Sequence, residues 1–312
     1  MRLPKLVCVV GTTASGKSDL AVALALRFDG EVVSADSMQI YKGFDIGTAK
    51  VTEAEMRGVA HHMLDVVPPD GAYSVADYCR DAGRAVAGIL SRGRLPIVAG
   101  GTGLYVDSLI ENTLFVGEKA DPAYRASLQQ YVQERGVDAL HARLRELDPQ
   151  YAEKTHANNV KRVIRAMELI RATGKTMAEL SAQSRRSPLY DSVKIGLRYA
   201  DRQELYRRID RRVDAMLERG LLDEVDGLLA QGISPAAQAM QGIGYKELAA
   251  YRAGAVTLED AVARIKKNSR NYAKRQLTWF QRDASIVWLE AGEGREKVFD
   301  KAQKMLEKFV ST

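Results

Sequence analysis

The chain has 312 residues, with 46 Lys and Arg against 40 Asp and Glu, a net charge of +6, and 46% of its residues are hydrophobic. That length suggests about two structural units, and the apolar content suits a soluble protein with a buried core, which excludes a disordered chain. No apolar run approaches the ~20 residues needed to cross a bilayer. The opening Met1-Arg-Leu-Pro-Lys5 and its short apolar run lead straight into glycine-rich sequence, where a signal peptide would carry its cleavage site. Cys8 and Cys79 form no disulfide framework, and no His or Cys cluster has zinc spacing. The expectation is a cytoplasmic protein with reduced thiols and no membrane association.

Residues 6–10 are a continuous valine-rich run, the pattern of a parallel strand buried on both faces. Gly11-Thr-Thr-Ala-Ser-Gly-Lys-Ser18 follows, then a helical pattern with Leu20, Ala21, Leu24 and Phe28. Residues 31–34 and 95–99 read as two further strands, the second ended by Gly100-Gly101. This alternation predicts an α/β fold with a P-loop-type parallel sheet flanked by helices. From Asp121 to about Arg186 only helical periodicity is found, with apolar stripes Tyr124-Leu128-Tyr131 and Val163-Met167-Ile170, both read as core. After the polar break Ser184-Arg-Arg-Ser-Pro188, residues 193–197 read as a strand returning to the sheet and residues 287–289 as a last short strand. The expected organisation is a core over 1–114, an all-helical insertion over 115–190, and core completion with C-terminal basic helices over 191–312.

The segment from Gly11 to Ser18 fits G-x-x-x-x-G-K-[ST] and sits between a strand and a helix, as a P-loop must. Its glycines let backbone N–H groups face phosphate oxygens, and the helix start adds partial positive charge. Lys17 supplies a full charge, and the Ser18 hydroxyl suits the shell of a Mg²⁺ that bridges two phosphates. The whole loop (Gly11, Thr12, Thr13, Ala14, Ser15, Gly16, Lys17 and Ser18) is therefore a diphosphate-binding candidate. A P-loop does not name the reaction, since most split or transfer a γ-phosphate. The strand at 95–99 ends without an acid, whereas the strand at 31–34 leads to Asp36. Three roles are open to Asp36 on spacing alone: metal ligand in a kinase, general base beside phosphates, or helix N-cap.

Basic residues cluster twice. Lys266, Lys267, Arg270, Lys274, Arg275 and Arg282 crowd an acid-free stretch interleaved with Tyr272, Trp279 and Phe280. Lys266, Arg270 and Lys274 share a helix face at i, i+4, i+8. Basic groups with aromatics suit a phosphate backbone and unstacked bases, with Phe280 read as core. Lys161, Arg162 and Arg165 form the second cluster. Arg208 and Arg212, also i, i+4, either reach a diphosphate or pair with Asp201, Glu204, Asp210 and Asp214. Adjacent His61 and His62 cannot easily share a metal ion and are given a structural role.

Beside the P-loop, the chain carries in order Ser34-Ala-Asp-Ser-Met-Gln-Ile-Tyr41, Ile46-Gly-Thr-Ala-Lys50, His61-His-Met-Leu-Asp65 and Gly100-Gly-Thr-Gly-Leu-Tyr105. Then come Asn158-Asn-Val-Lys-Arg-Val-Ile-Arg165, residues 206–213, Gly242-Ile-Gly-Tyr245 and Lys274-Arg-Gln-Leu-Thr-Trp279. This ordered set resembles the bacterial tRNA dimethylallyltransferase (tRNA isopentenyltransferase) family. Thr12 replaces a frequent proline, and Asn159 replaces an aspartate of some members. The resemblance implies transfer of a dimethylallyl group from dimethylallyl diphosphate to N6 of the adenosine next to the anticodon (position 37), with pyrophosphate released and Mg²⁺ as cofactor. It implies Asp36 as general base and Thr102 as a group that orients the amine. It implies tRNA contacts at Asp36, Ser37, Met38, Gln39, Thr102, Arg125, Lys161, Arg162, Arg165, Gly242, Gly244, Tyr245, Lys274, Arg275, Gln276 and Trp279. The partner is a tRNA anticodon stem-loop, expected to sit between core and insertion, and the chain is expected to act as a monomer. Two rival readings stand beside it: a P-loop small-molecule or nucleoside kinase, and a nucleotide-gated RNA-binding module in which Asp36 is dispensable.

Overall fold

The valine-rich run becomes the fourth position of a six-stranded, all-parallel sheet ordered β3-β2-β4-β1-β5-β6. The strands are β1 (Lys5–Gly11), β2 (Gly30–Ser34), β3 (His61–His62), β4 (Leu95–Gly100), β5 (Asp191–Arg198) and β6 (Ile286–Glu290). The structure is a computed structural model that describes residues 3–115, 121–184 and 186–311; Met1 and Arg2 of the opening and Arg185 of the polar break lie outside them. All five strands expected from sequence are present. The sixth, β3, is two residues long and pairs Val32 with His61 and Val33 with His62.

Side chains alternate across a strand, and β1 shows the consequence. Leu6, Cys8 and Val10 enter one apolar layer, with α3 (Val75–Ser91) and α4 (Gly103–Ile110), while Val7 and Val9 enter the opposite layer, with α1 (Lys17–Arg27) and a C-terminal helix (Arg295–Ser311). With both faces covered, every position selects an apolar residue, so the strand reads as an unbroken run. A short helix, α2 (Glu53–Met56), starts with a capping box in which Thr52 and Glu55 satisfy each other's backbone N–H.

Contacts divide the chain into two compact units, Glu111–Pro188 and the remainder, Met1–Ile110 with Leu189–Thr312. The unit of residues 111–188 holds α5 (Pro122–Arg135), α6 (Val137–Leu147), α7 (Pro149–Glu153), α8 (Val160–Thr173) and α9 (Met177–Ser184), and no strand among its described residues. Asp121 caps α5, with Pro122 at the first helical position. Leu128, Leu140, Leu144, Val163 and Met167 form its own core, against which Tyr124, Tyr131 and Ile170 pack half-buried. The larger unit adds a third apolar cluster, built by α10 (Arg202–Glu218), α11 (Leu221–Ala230), α12 (Tyr245–Arg252) and α13 (Leu258–Phe280) around Ile40, Tyr41 and Phe44. The C-terminal helix over the sheet is α14 (Arg295–Ser311). No helix among the described residues is long and apolar enough to cross a membrane.

Glu31 is a buried charged residue within the sheet. Its side chain is 3% exposed and accepts from Arg92 through both oxygens (3.0 and 2.7 Å), from Arg94 (3.2 Å) and against His62 (2.6 Å). The Arg92 fork, aided by His62 and Arg94 and opposed by burial, holds the carboxyl down to about 2. Because the folded state binds this proton less readily than the unfolded chain, its stabilisation is complete above the ordinary glutamate range and fades as pH falls toward 2. Glu31→Gln is expected to cost about 1–3 kcal/mol at pH 7. In urea titrations the gap between variant and parent should close as pH approaches 2; a gap independent of pH would remove the charge from this account.

Candidate active site

The P-loop forms because β1 must hand the chain to α1 over a sharp turn. Ala14 (φ 62°) and Gly16 (φ 89°) take left-handed backbone, a conformation that gathers successive N–H groups into an anion-binding concavity. Thr12 carries no phosphate-facing hydroxyl: it is 1% exposed and its Oγ1 is buried without a partner. The Thr12 carbonyl instead accepts from Ser15 Oγ (2.8 Å) and from Lys17 Nζ (2.6 Å). The Thr13 N–H is likewise taken, by Gln276 Oε1 at 2.8 Å. Burial, with the nearby Arg212 charge, pushes the Lys17 ammonium down to about 7, and Asp36 acts in the opposite sense.

Two cavities meet at this loop. One, of about 420 Å³, is lined by residues of the loop together with Glu55, Arg208, Arg211 and Arg212. The other, of about 380 Å³, contains Asp36, Ser37, Met38, Gln39, Gly242, Gly244, Tyr272 and Arg275. Lys17, Ser18, Ala49 and Arg212 belong to both walls. Arg208 reaches the loop itself, with Nε donating to the Ala14 carbonyl (3.2 Å). Neither arginine pairs with the acids of its own helix: Asp210 binds Arg270 (2.6 Å), Asp214 binds Lys266 (2.6 Å) and Asp201 binds Arg207. Burial holds the half-buried Arg212 guanidinium below its ordinary value, with Asp36 and then Glu55 acting in the opposite sense.

Asp36 follows β2. Its Oδ1 accepts from the N–H of Met38 (2.8 Å) and of Gln39 (3.4 Å), an Asx-type turn rather than a helix N-cap, since residues 37–40 form a turn with no helix after it. Oδ2 has no hydrogen-bond partner among the described residues. Thr102, after β4, lies beside the Asp36 turn: its Oγ1 accepts from the Ser37 N–H (3.1 Å) and lies within hydrogen-bonding range of the Tyr272 hydroxyl. Burial, with the Asp36 charge, pushes the Tyr272 phenol up to about 12. No acid ends β4 because there is no room: a Cβ at Gly100 would lie 2.2 Å from the Ala35 carbonyl oxygen, and one at Gly101 would lie 2.0 Å from Gln276 Nε2.

Several groups expected to face RNA also make hydrogen bonds within the protein, while Gln39, Tyr245 and Gln276 all line the inner cavity. The Gln39 amide donates to the carbonyls of Thr48 (3.3 Å) and Ala49 (3.2 Å) while its oxygen accepts from Ser34 (3.1 Å). Gln276 is 4% exposed and bridges Thr13 N–H and the Gly101 carbonyl. Tyr245 is 1% exposed and donates to Glu224 (2.6 Å). The expected basic stripe on α13 is largely an ion-pair seam to α10, through Lys266 and Arg270. Lys274 and Arg275 remain exposed, and Trp279 is partly exposed, with its indole N–H on Asp107 (2.6 Å).

In the helical unit, Arg125 makes a bidentate pair with the buried Glu168 (both bonds 2.7 Å), and Arg165 approaches the same carboxylate at 3.5 Å. Arg162 donates to the Tyr151 hydroxyl (2.9 Å), and Lys161 is exposed. Residues that sequence reasoning missed are Glu55 and Arg211 at the outer cavity and Gln241, Ile243 and Glu224 near the inner one. Tyr272 was visible only as an aromatic among basic residues, and Glu224 gave no local signal.

The model of the IPP transferase family matches residues 39–283. A tRNA dimethylallyltransferase of Bacillus subtilis (strain 168) is 48% identical over 284 residues, covering 91% of this chain and 90% of the relative; that of Heliobacterium modesticaldum is 48% identical over 91% and 88%. The crystal structure of a tRNA isopentenylpyrophosphate transferase from Bacillus halodurans has 46% identity, a TM-score of 0.72, and coverage of 98% of this chain and 95% of that one. A eukaryotic dimethylallyltransferase crystallised acting on tRNA has 31% identity and a TM-score of 0.78, over 92% and 74%. With its P-loop, its Asp36 beside that loop and this match across most of its length, the chain belongs to the IPP transferase family.

Proposed function

We propose that the protein transfers a dimethylallyl group from dimethylallyl diphosphate to N6 of the adenosine next to the anticodon (position 37) in tRNA, releasing pyrophosphate. The observation that carries this reading is a carboxylate with one free oxygen, Asp36, in the same cavity as the P-loop cations. An exocyclic amine conjugated to a purine is a poor nucleophile, so its proton must leave as the bond forms. Asp36 Oδ2 takes that proton, N6 bonds to C1, and the C1–oxygen bond breaks toward pyrophosphate. Lys17, Arg208, Arg212 and the free loop N–H groups meet the charge that develops on the leaving group. Thr102, anchored by Ser37, orients the amine.

The shared wall of the two cavities suits substrates that enter from opposite sides, with an extruded base on the Asp36 side and water kept from the allylic carbon. Ser18 offers one hard oxygen donor, and no cluster of three or more His, Cys, Asp or Glu among the described residues could hold an ion alone. A Mg²⁺ fits as an ion held jointly by Ser18 and the diphosphate. It supplies charge neutralisation on the phosphate oxygens. Lys161, Arg162, Lys274 and Arg275, with the outer edges of Arg125 and Arg165, meet the RNA backbone. Action as a monomer is part of this proposal.

Incubation with an unmodified anticodon stem-loop and dimethylallyl diphosphate, with and without Mg²⁺, should add the mass of one prenyl group to the RNA. Phosphate transfer from ATP without prenylation would select the kinase reading instead. Asp36→Asn is expected to bind the stem-loop normally and to lower kcat by about 10²–10⁴-fold; an unchanged kcat would eliminate Asp36 as the base. Exposed lysines and arginines on phosphates release counterions, so stem-loop affinity should fall steeply with salt. KM for the diphosphate, whose cations lie inside the cavity, should move much less. Parallel salt slopes for the two substrates would undo that division.

A further inference from the structure

The segment after the Asp36 turn is held by a residue far away in sequence. Glu224, on α11, accepts three consecutive backbone N–H groups: Asp45 (3.0 Å) and Ile46 (2.7 Å) on one oxygen, Gly47 (3.1 Å) on the other. The second oxygen also accepts from the Tyr245 hydroxyl (2.6 Å). Three adjacent N–H dipoles that converge on one carboxylate fix both the position and the rotation of the peptide units that carry them. A Cβ at Gly47 would lie 2.6 Å from the Tyr245 ring, so the segment also packs flush on α12. From the far side, the buried Lys50 ties the segment to Asp65 (2.6 Å) and to the Tyr41 carbonyl (3.0 Å).

The consequence reaches the reacting side of the cavity. With residues 45–47 clamped, the carbonyls of Thr48 and Ala49 point at the Gln39 amide and hold it. Gln39 ends the turn whose backbone N–H groups fix Asp36 Oδ1. Gly47, Thr48 and Ala49 themselves line the cavity beside Asp36 and Met38.

We infer that Glu224 is a positioning residue for the acceptor side of the site: acting through residues 45–49 and Gln39, it sets the Asp36–Gln39 turn against the incoming base. This rests on the prenyl-transfer reading above. Among the described residues Glu224 makes no hydrogen bond to the P-loop, and of the segment it holds only Ala49 also lines the outer cavity, so its effect falls mainly on the acceptor side.

The test is Glu224→Gln, of equal size but with an amide NH₂ facing N–H donors, assayed with stem-loop and dimethylallyl diphosphate each varied. For the stem-loop, kcat/KM is expected to fall about 10–100-fold, the scale of a small misplacement of reacting groups, while KM for the donor moves less than about twofold. Because both residues act along one chain of contacts, Gln39→Ala combined with Glu224→Gln should be no worse than the poorer single variant. Tyr245→Phe, which removes one donor and leaves the clasp, should show the same pattern weakened. Full activity of Glu224→Gln, losses that multiply in the double variant, or equal loss of donor binding would each overturn the inference; the last would mark a general structural role. An unmodified protein that fails to prenylate the stem-loop in the same assay would overturn the function reading instead.

Discussion

Gly100 brings the end of β4 so close to Ala35 that any side chain there would collide with the backbone. The site depends on this approach. It lets the Thr102 N–H reach the Ala35 carbonyl (3.1 Å) and Thr102 Oγ1 receive the Ser37 N–H, which locks the start of α4 to the Asp36 turn. Gln276 makes the matching lock on the other side, with one end of its amide on the P-loop at Thr13 and the other on Gly101. The turns after β1, β2 and β4 therefore adjoin at the carboxyl edge of the sheet, where open α/β folds collect their ligands. The same closeness leaves no space for an acid after β4, and the carboxylate comes from the β2 side instead.

Helix α10 sorts its charges by geometry. Residues four apart share a face, while residues two apart point to nearly opposite sides. Arg208 and Arg212 thus look toward the P-loop together, and Asp210 and Asp214 look away together, toward Arg270 and Lys266 of α13. A charge count along the sequence could not separate these fates, because alternation in sequence looks like local pairing. On α13 the acid-free stretch seemed available to a polyanion, yet the acids that neutralise it sit 50 to 60 residues earlier, on a helix packed alongside.

Legibility followed the range of the physical cause. β1 was readable because burial on both faces makes a strand continuously apolar, and the P-loop because its spacing is fixed by backbone geometry over eight residues. β3 was not readable: two histidines form a strand only because Glu31, thirty residues earlier, holds His62 beside β2. The internal hydrogen bonds of Gln39, Gln276 and Tyr245 were unreadable for a related reason. Their polar atoms are consumed by partners as distant as Thr13 and Glu224, which no local pattern announces.

Depth then separates the two electrostatic tasks of the molecule. Exposed cations such as Lys161 and Lys274 are screened by salt within about a Debye length of their surroundings, roughly 8 Å at physiological ionic strength, and suit a flexible polyanion. Lys17 and Arg212 stand where burial opposes their charge, with Asp36 as the nearby acid that counters it. Asp36 faces both cations and Glu55 adds to it at Arg212, so burial is only partly offset, a setting that suits the diphosphate of the proposed reaction. The Thr12 carbonyl that now accepts from Lys17 is a neutral partner, weaker than a phosphate oxygen for an ammonium. The loop thus suits an anion of the kind that the proposed reaction brings.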